Sequence, residues 1–166
     1  NGINKIANAV GSTLGASGKT VVIEDDFGGP QVTKDGVTVA NSILLQDPIE
    51  NLAVSMMKQA AQKTAAVAGD GTTTSIVLTK AIIDYYYLAK GEQHSFRDIR
   101  KGMDLFKDHI IKILDEKAIP IEEEKLVQVS TISANNDVEL GNIIANAFNE
   151  AGSNGVVTME SSPTSE

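Results

Sequence analysis

Apolar positions along this chain recur mostly at three- and four-residue spacing, the signature of amphipathic helices. Ile3, Ile6, Ala7, Val10 and Leu14 form one such stripe at the start, read as the C-terminal half of a helix whose beginning is missing. A glycine-rich stretch, Gly11 to Gly18, stops it. The pattern then shortens. Val21 to Glu24 and Gln31 to Lys34 predict two strands joined by a turn through Asp25, Asp26, Gly28, Gly29 and Pro30. A short helix is expected from Val37 to Ile43. Asp47, Pro48 and Glu50 mark a strong helix start, with a capping aspartate, proline in the first turn and a glutamate placed for a capping box. That helix should run to about Ala68, with Ile49, Leu52, Met56, Ala60 and Val67 on one side and Val54, Met57, Ala61 and Ala65 beside them.

A second long helix should open at Thr72. It is apolar nearly all round from Ile76 to Leu88, which predicts packing on several sides, and Gly91 should stop it. Ser95 with Asp98 should cap a further helix whose stripe is Ile99, Met103, Phe106, Ile110, Ile113 and Leu114. Pro120 is the expected domain boundary. Beyond it, Glu122 to Ala134 should be helical, Asn135 to Asp137 should cap another helix ending at Gly152, and Gly155 to Glu160 alternates like a strand. Ser161 to Glu166 is polar and should trail off. The fold class expected is mainly α, with a small β-hairpin. The chain starts at Asn1 inside a helical pattern and ends on a strand without a partner, so a piece of a longer protein is expected.

Composition narrows the function classes. The 166 residues are 42% hydrophobic and 22% charged, a globular balance, with a net charge of −8. The pI near 4.7 argues against a nucleic-acid or anionic-membrane partner, which calls for basic clusters. No apolar run approaches the ~20 residues of a membrane span. The absence of cysteine excludes disulfides, thiolate metal sites and a cysteine nucleophile. His94 and His109 stand apart from each other and from any carboxylate cluster at ligand spacing, and read as surface or capping residues.

The stretch Gly69-Asp70-Gly71-Thr72-Thr73-Thr74 is the chemically informative one. Glycines admit a phosphate close to the backbone, and a helix starting near Thr72 offers N–H groups without helical partners. Asp70 is a hard oxygen ligand suited to a Mg²⁺ shared with phosphate oxygens. Asp, Gly and Thr are also ordinary helix-start residues, so the corner alone carries both readings. Thr13, Gly15 and Gly18 in the first loop, and Lys34-Asp35 at the hairpin exit, allow the same two readings: phosphate contacts, or turns.

Four segments in order resemble the group I chaperonins, the GroEL type: Thr13-Leu14-Gly15, the run Thr33 to Ala40, the run Ala68 to Thr74, and the run Thr131 to Asn135. The resemblance covers essentially the whole chain. It implies an equatorial-domain helical bundle over about 1–116, followed by part of an α/β intermediate domain over 117–166. It implies ATP, Mg²⁺ and K⁺ as cofactors. Thr13, Leu14, Gly15 and Ala16 would form a first phosphate loop, and Thr13 and Lys34 would lie near the monovalent cation. Asp70 would hold Mg²⁺, while Gly69, Gly71, Thr72, Thr73 and Thr74 cradle phosphates and Asp35 orients the attacking water. The family has Pro and Lys where this chain has Ala16 and Ser17, and Lys19 replaces a common Arg, which leaves the first loop freer.

The function implied is that of an ATP-hydrolysing folding chaperonin: stacked homo-oligomeric rings, unfolded client proteins, a co-chaperonin, no nucleic acid and no membrane. Its compartment would be the cytoplasm, or an organelle matrix after loss of a transit peptide. Two alternatives stand beside this, a ring scaffold without ATP turnover and a small Mg-nucleotide phosphotransferase. Because several helices carry stripes with no complementary segment in the sequence, the 166-residue chain alone should be poorly soluble or molten. Calorimetry and light scattering check this; a cooperatively melting monomer contradicts it.

Overall fold

The computed structural model describes residues 1–15, 17–25, 27–91, 94–152 and 155–160. Ala16, Asp26 and the tail from Ser161 to Glu166 lie outside them. In chain order the elements are α1 (Gly2–Gly11), β1 (Val21–Glu24), β2 (Pro30–Thr33), α2 (Gly36–Ser42), α3 (Pro48–Ala68), α4 (Thr72–Gly91), α5 (Phe96–Lys117), α6 (Glu123–Ser133) and α7 (Val138–Ala151). The chain forms two compact units, Asn1–Leu105 and Phe106–Glu166, which divide within α5.

The first unit is built on α1. Its Ile6, Ala7 and Val10 pack with Val39 and Ala40 of α2, Val54, Met57 and Ala61 of α3, and Ile76 of α4 in one buried cluster. Removing such side chains from water is the main favourable term here, about 1.5–3 kcal/mol for a large aliphatic group. On α3 the stripe through Val54, Met57 and Ala61 is the buried one, whereas Ile49, Leu52, Met56 and Val67 are exposed. Asp47 begins α3, accepting from the N–H groups of Ile49 and Glu50 at 2.9 Å. Glu50 does not close the expected capping box; its carboxylate takes the ammonium of Lys5 at 2.6 Å and ties α1 to α3.

The hairpin is antiparallel, with Val21 opposite Thr33 and Glu24 opposite Pro30. The Asp25 carboxylate holds its turn, accepting from the N–H groups of Phe27 and Gly29. Directly after β2 comes α2, capped by Asp35. The Asp35 side chain accepts from the N–H of Val37, the N–H of Thr38 and the Thr38 hydroxyl.

Two expectations are corrected. The α4 helix is not enclosed: Ile76 is fully buried, but Leu78, Tyr85, Tyr87 and Leu88 are largely exposed, because α1 and α3 cover only one side. No residue of α5 is buried; Phe96 meets the Tyr86 ring edge-on at 6.0 Å and Ile99 is half-buried, but Met103, Phe106, Ile110 and Leu114 of its stripe remain exposed. The segment Gly155 to Glu160 is not a strand. A lone strand cannot satisfy its backbone groups, and no partner strand lies among the described residues of its unit.

In the second unit, α6 and α7 pack against each other across a turn through Asn135 and Asn136, both left-handed, with Asp137 capping α7 by accepting from the Leu140 N–H. Buried Gly141 sits so close to Thr131 that a Cβ there would fall 2.3 Å from its hydroxyl.

Partial burial raises the Asp35 carboxyl pKa, but the three hydrogen bonds outweigh it and leave the group below its ordinary value of 3.8. A carboxylate depressed in the folded state stabilises it above the unfolded pKa, and that contribution is lost as pH falls through the folded value. Asn also caps helices well. The melting-temperature gap between wild type and Asp35→Asn should therefore shrink between about pH 6 and about pH 3. A constant gap would contradict the assignment.

Candidate functional site

The corner between α3 and α4 is shaped by its two glycines. Gly69 ends α3 in the left-handed conformation at φ 74°, donating back to the Ala65 carbonyl at 2.9 Å. Gly71 is also left-handed, at φ 82°. Between them the Asp70 carboxylate accepts from the Gly71 N–H at 2.6 Å, which fixes one oxygen and keeps the exposed side chain at the corner. The first helical bond of α4 is Ser75 N–H to Gly71 C=O at 2.8 Å. The amides of Thr72, Thr73 and Thr74 therefore precede the hydrogen-bond ladder and are the ones available to an anion. Thr72 is buried, Thr73 half-buried and Thr74 exposed, so the hydroxyls fan from the core to the surface.

A second loop is seated directly on this corner. An added Cβ on Gly36 would lie 1.9 Å from the Thr73 hydroxyl oxygen and 3.4 Å from a Val10 methyl. Only the lack of a side chain lets the start of α2 approach so closely, and the approach sets Asp35 beside the threonine run. The sequence reading stopped at Lys34-Asp35 and missed this role of Gly36. Its signal was the glycine directly after a capping aspartate.

The first loop follows α1, whose last residue, Gly11, abuts α4 closely enough that a Cβ would touch a Val77 methyl at 3.4 Å. Beyond it the chain curls back on itself. Gly18 N–H donates to Gly15 C=O at 2.9 Å and Lys19 N–H to Ser12 C=O at 2.7 Å. The Thr13 hydroxyl donates to the Val10 carbonyl at 2.8 Å, leaving its oxygen lone pairs for a cation. Leu14 and Gly15 are exposed, as is Lys34 on the segment before α2. Ala16 lies outside the described residues.

Thus α1, α2 and α4 pack against one another, and each begins or ends at one of the three loops. The structure brings Gly36, and Asp35 next to it, against Thr73. It places the Gly11 end of α1 against α4. Lys34, exposed before α2, makes no hydrogen bond or ion pair with the other described candidate residues.

The donor set suits a magnesium ion shared with phosphates, which takes one or two carboxylates and completes its shell with water and phosphate oxygens. Among the described residues no three His, Cys, Asp or Glu side chains are grouped to hold a metal by themselves. Threonine hydroxyls and leading helix amides would donate to phosphate oxygens, and Asp35 is held ionised by its hydrogen bonds. A concavity of about 660 Å³ lies elsewhere, between the hairpin and α2, lined by Ile23, Asp25, Phe27, Thr38 and Asn41 among others. Phosphate recognition on exposed amides does not require such a cavity.

Two residues outside the sequence reading act on the site. Thr38 doubles the hold on Asp35 through its N–H and its hydroxyl, which a threonine three residues after a capping aspartate could have signalled. Lys58 of α3 donates to the carbonyls of Asn41 and Ile43 at the far end of α2. Nothing local in the sequence marks it.

A chaperonin GroEL from Holospora obtusa is 44% identical over 162 residues, 96% of this chain. In three dimensions the chain is similar to the chaperonin gp146 from the bacteriophage EL 2 (Pseudomonas aeruginosa), crystallised in presence of ATP-BeFx, with a TM-score of 0.74 and 35% identity over 87% of this chain. It is similar also to a group III chaperonin in the open state, with a TM-score of 0.73 and 25% identity over 88% of the chain. The chain spans 29% of the GroEL relative's length, and 26% and 29% of the two structures. The helical fold with its small hairpin is that of the chaperonin equatorial domain. The model of the TCP-1/cpn60 chaperonin family matches residues 6–162, and the chain belongs to that family.

Proposed function

We propose that this chain carries the phosphate-binding wall of an ATP-driven folding chaperonin subunit. The observation that carries the reading is the seat of Gly36, the residue after Asp35, on the Thr73 side chain at the start of α4. The similar chaperonin gp146 was crystallised in presence of ATP-BeFx, in keeping with nucleotide use in this family. In this reading Asp70 holds Mg²⁺, Thr72, Thr73 and Thr74 with Gly69 and Gly71 cradle the phosphates, and Thr13 to Ala16 close the pocket from the first loop. Thr13 and Lys34 flank a K⁺ ion, and Asp35 orients the attacking water. Phosphoryl transfer is served chiefly by positioning and charge neutralisation, the chemistry this residue set can supply.

The adenosine contacts and a second carboxylate would come from residues outside those described. Residues 1–116 would belong to the equatorial domain and 117–166 to the intermediate domain. The working form would be a ring homo-oligomer acting on unfolded clients in the cytoplasm, with a co-chaperonin as a further partner. No helix among the described residues is long and apolar enough to cross a membrane. A ring without turnover is the second reading, favoured by the full engagement of Asp35 in capping.

Because Asp35 is the α2 cap, Asp35→Asn separates its charge from its structural role better than Asp35→Ala. In the full-length protein Asp35→Asn should leave nucleotide affinity nearly unchanged and lower kcat by at least about tenfold, since water positioning acts in the transition state. Equal loss of affinity would mark Asp35 as a binding residue, unaltered kcat would remove it from the hydrolytic step, and absence of hydrolysis by the wild type would favour the ring without turnover. Asp70→Ala should abolish Mg-dependent ATP binding, read by calorimetry with and without Mg²⁺, while rings persist in native mass measurements. Unchanged binding would overturn the site.

A further inference from the structure

The α2 helix is only seven residues long, under two turns, and an isolated helix of that length does not hold in water. Its persistence depends on Val39 and Ala40 in the core and on what satisfies its ends. At the N-terminal end Asp35 accepts from Val37 and Thr38, and Gly36 rests on Thr73. At the C-terminal end the chain leaves in an extended conformation at Ile43, so no glycine closes the helix. The Ser42 hydroxyl donates to Val39 C=O and Ile43 N–H to Ala40 C=O. The carbonyls of Asn41 and Ile43 are taken by one group, the Lys58 ammonium, at 2.9 and 2.8 Å.

Lys58 sits on α3 one residue after the fully buried Met57. Its root is thereby fixed on a 21-residue helix, and its charge lies at the negative end of α2, where a cation is favoured. Burial lowers its pKa, while hydrogen bonds to carbonyl oxygens favour the charged form. Together with Asn51, whose side-chain oxygen accepts from Leu45 N–H at 3.1 Å, it fastens the loop between α2 and α3.

We propose that Lys58 is a positioning residue for the hydrolytic step. By clamping the C-terminal end of α2 to α3 it sets how the opposite end, with Asp35 and Gly36, sits on the Thr73 corner. The inference rests on the reading of that corner as the nucleotide site. At 1.5 Å of rise per residue, α2 is about 10 Å long, so release of one end tilts the other nearly as a rigid rod. A shift of about 1 Å in a positioning group costs on the order of 10²-fold in rate. The hydrogen bonds of Lys58 go to the carbonyls of Asn41 and Ile43 and to none of the corner residues, so its effect is expected chiefly in rate.

The test uses the full-length protein and compares wild type, Lys58→Met and Lys58→Arg by steady-state ATP hydrolysis and by equilibrium binding of Mg-ATP. Lys58→Met, which keeps the stem and removes the donors, should lower kcat roughly tenfold with the dissociation constant within about twofold of wild type. Lys58→Arg, which keeps cation and donors, should restore most of the rate. Wild-type kcat in Lys58→Met overturns the proposal, as does a parallel loss of rate and affinity, which would mark a purely structural role. Should Lys58→Met fail to fold, Lys58→Gln is read by the same split, and there too an unchanged kcat overturns it. A wild-type protein that hydrolyses no ATP fails the nucleotide reading itself, a result distinct from hydrolysis that is indifferent to Lys58.

Discussion

Close contact between the start of α2 and the start of α4 is the constraint on which the candidate site depends. Gly36 has no side chain, and the Thr73 hydroxyl fills the space a Cβ would take. Two segments more than thirty residues apart in sequence thereby share one surface. The core beneath enforces it, since Val10, Val39 and Ile76 are buried together under the two helix starts. Any larger residue at position 36 would separate the carboxylate of Asp35 from the threonine run before it altered any group that carries charge. Fold and chemistry here are linked by a missing side chain.

Much of this was legible in the sequence, and for local reasons. Capping signals are read from neighbours within a few residues, so Asp47, Ser95 and Asp137 marked the starts of α3, α5 and α7. Gly69 and Gly71 marked the corner, and the hairpin followed from its turn residues. Distances across the fold leave no such trace. The direct seat of Gly36 on Thr73 and the reach of Lys58 to α2 arise only when α3 lies along α2. Which of two apolar stripes on α3 is buried was equally invisible, because both repeat at helical spacing.

The overestimates share one cause. Hydrophobic periodicity states that a face is to be covered and says nothing of what covers it. Tyr85 and Leu88 of α4, most of the stripe of α5 and the alternation from Gly155 to Glu160 are each apolar in the right rhythm, yet they remain largely exposed or unpaired among the described residues. Where a complementary surface exists within the same unit, as between α6 and α7, the same rhythm becomes a close-packed pair with Ala145 and Gly141 buried at its centre.

The position of α1 in the core also orders events in time. Its apolar face is the first part of this segment to be synthesised, but the fully buried Ile6 and Val10 share their cluster with Ile76 of α4. At ribosomal speeds of about 5–20 residues per second, the partner follows roughly 3–14 seconds later. The α3–α4 corner closes locally within far less time once made. The α1 helix therefore waits for a partner made much later, and during that interval its apolar face is open to other chains.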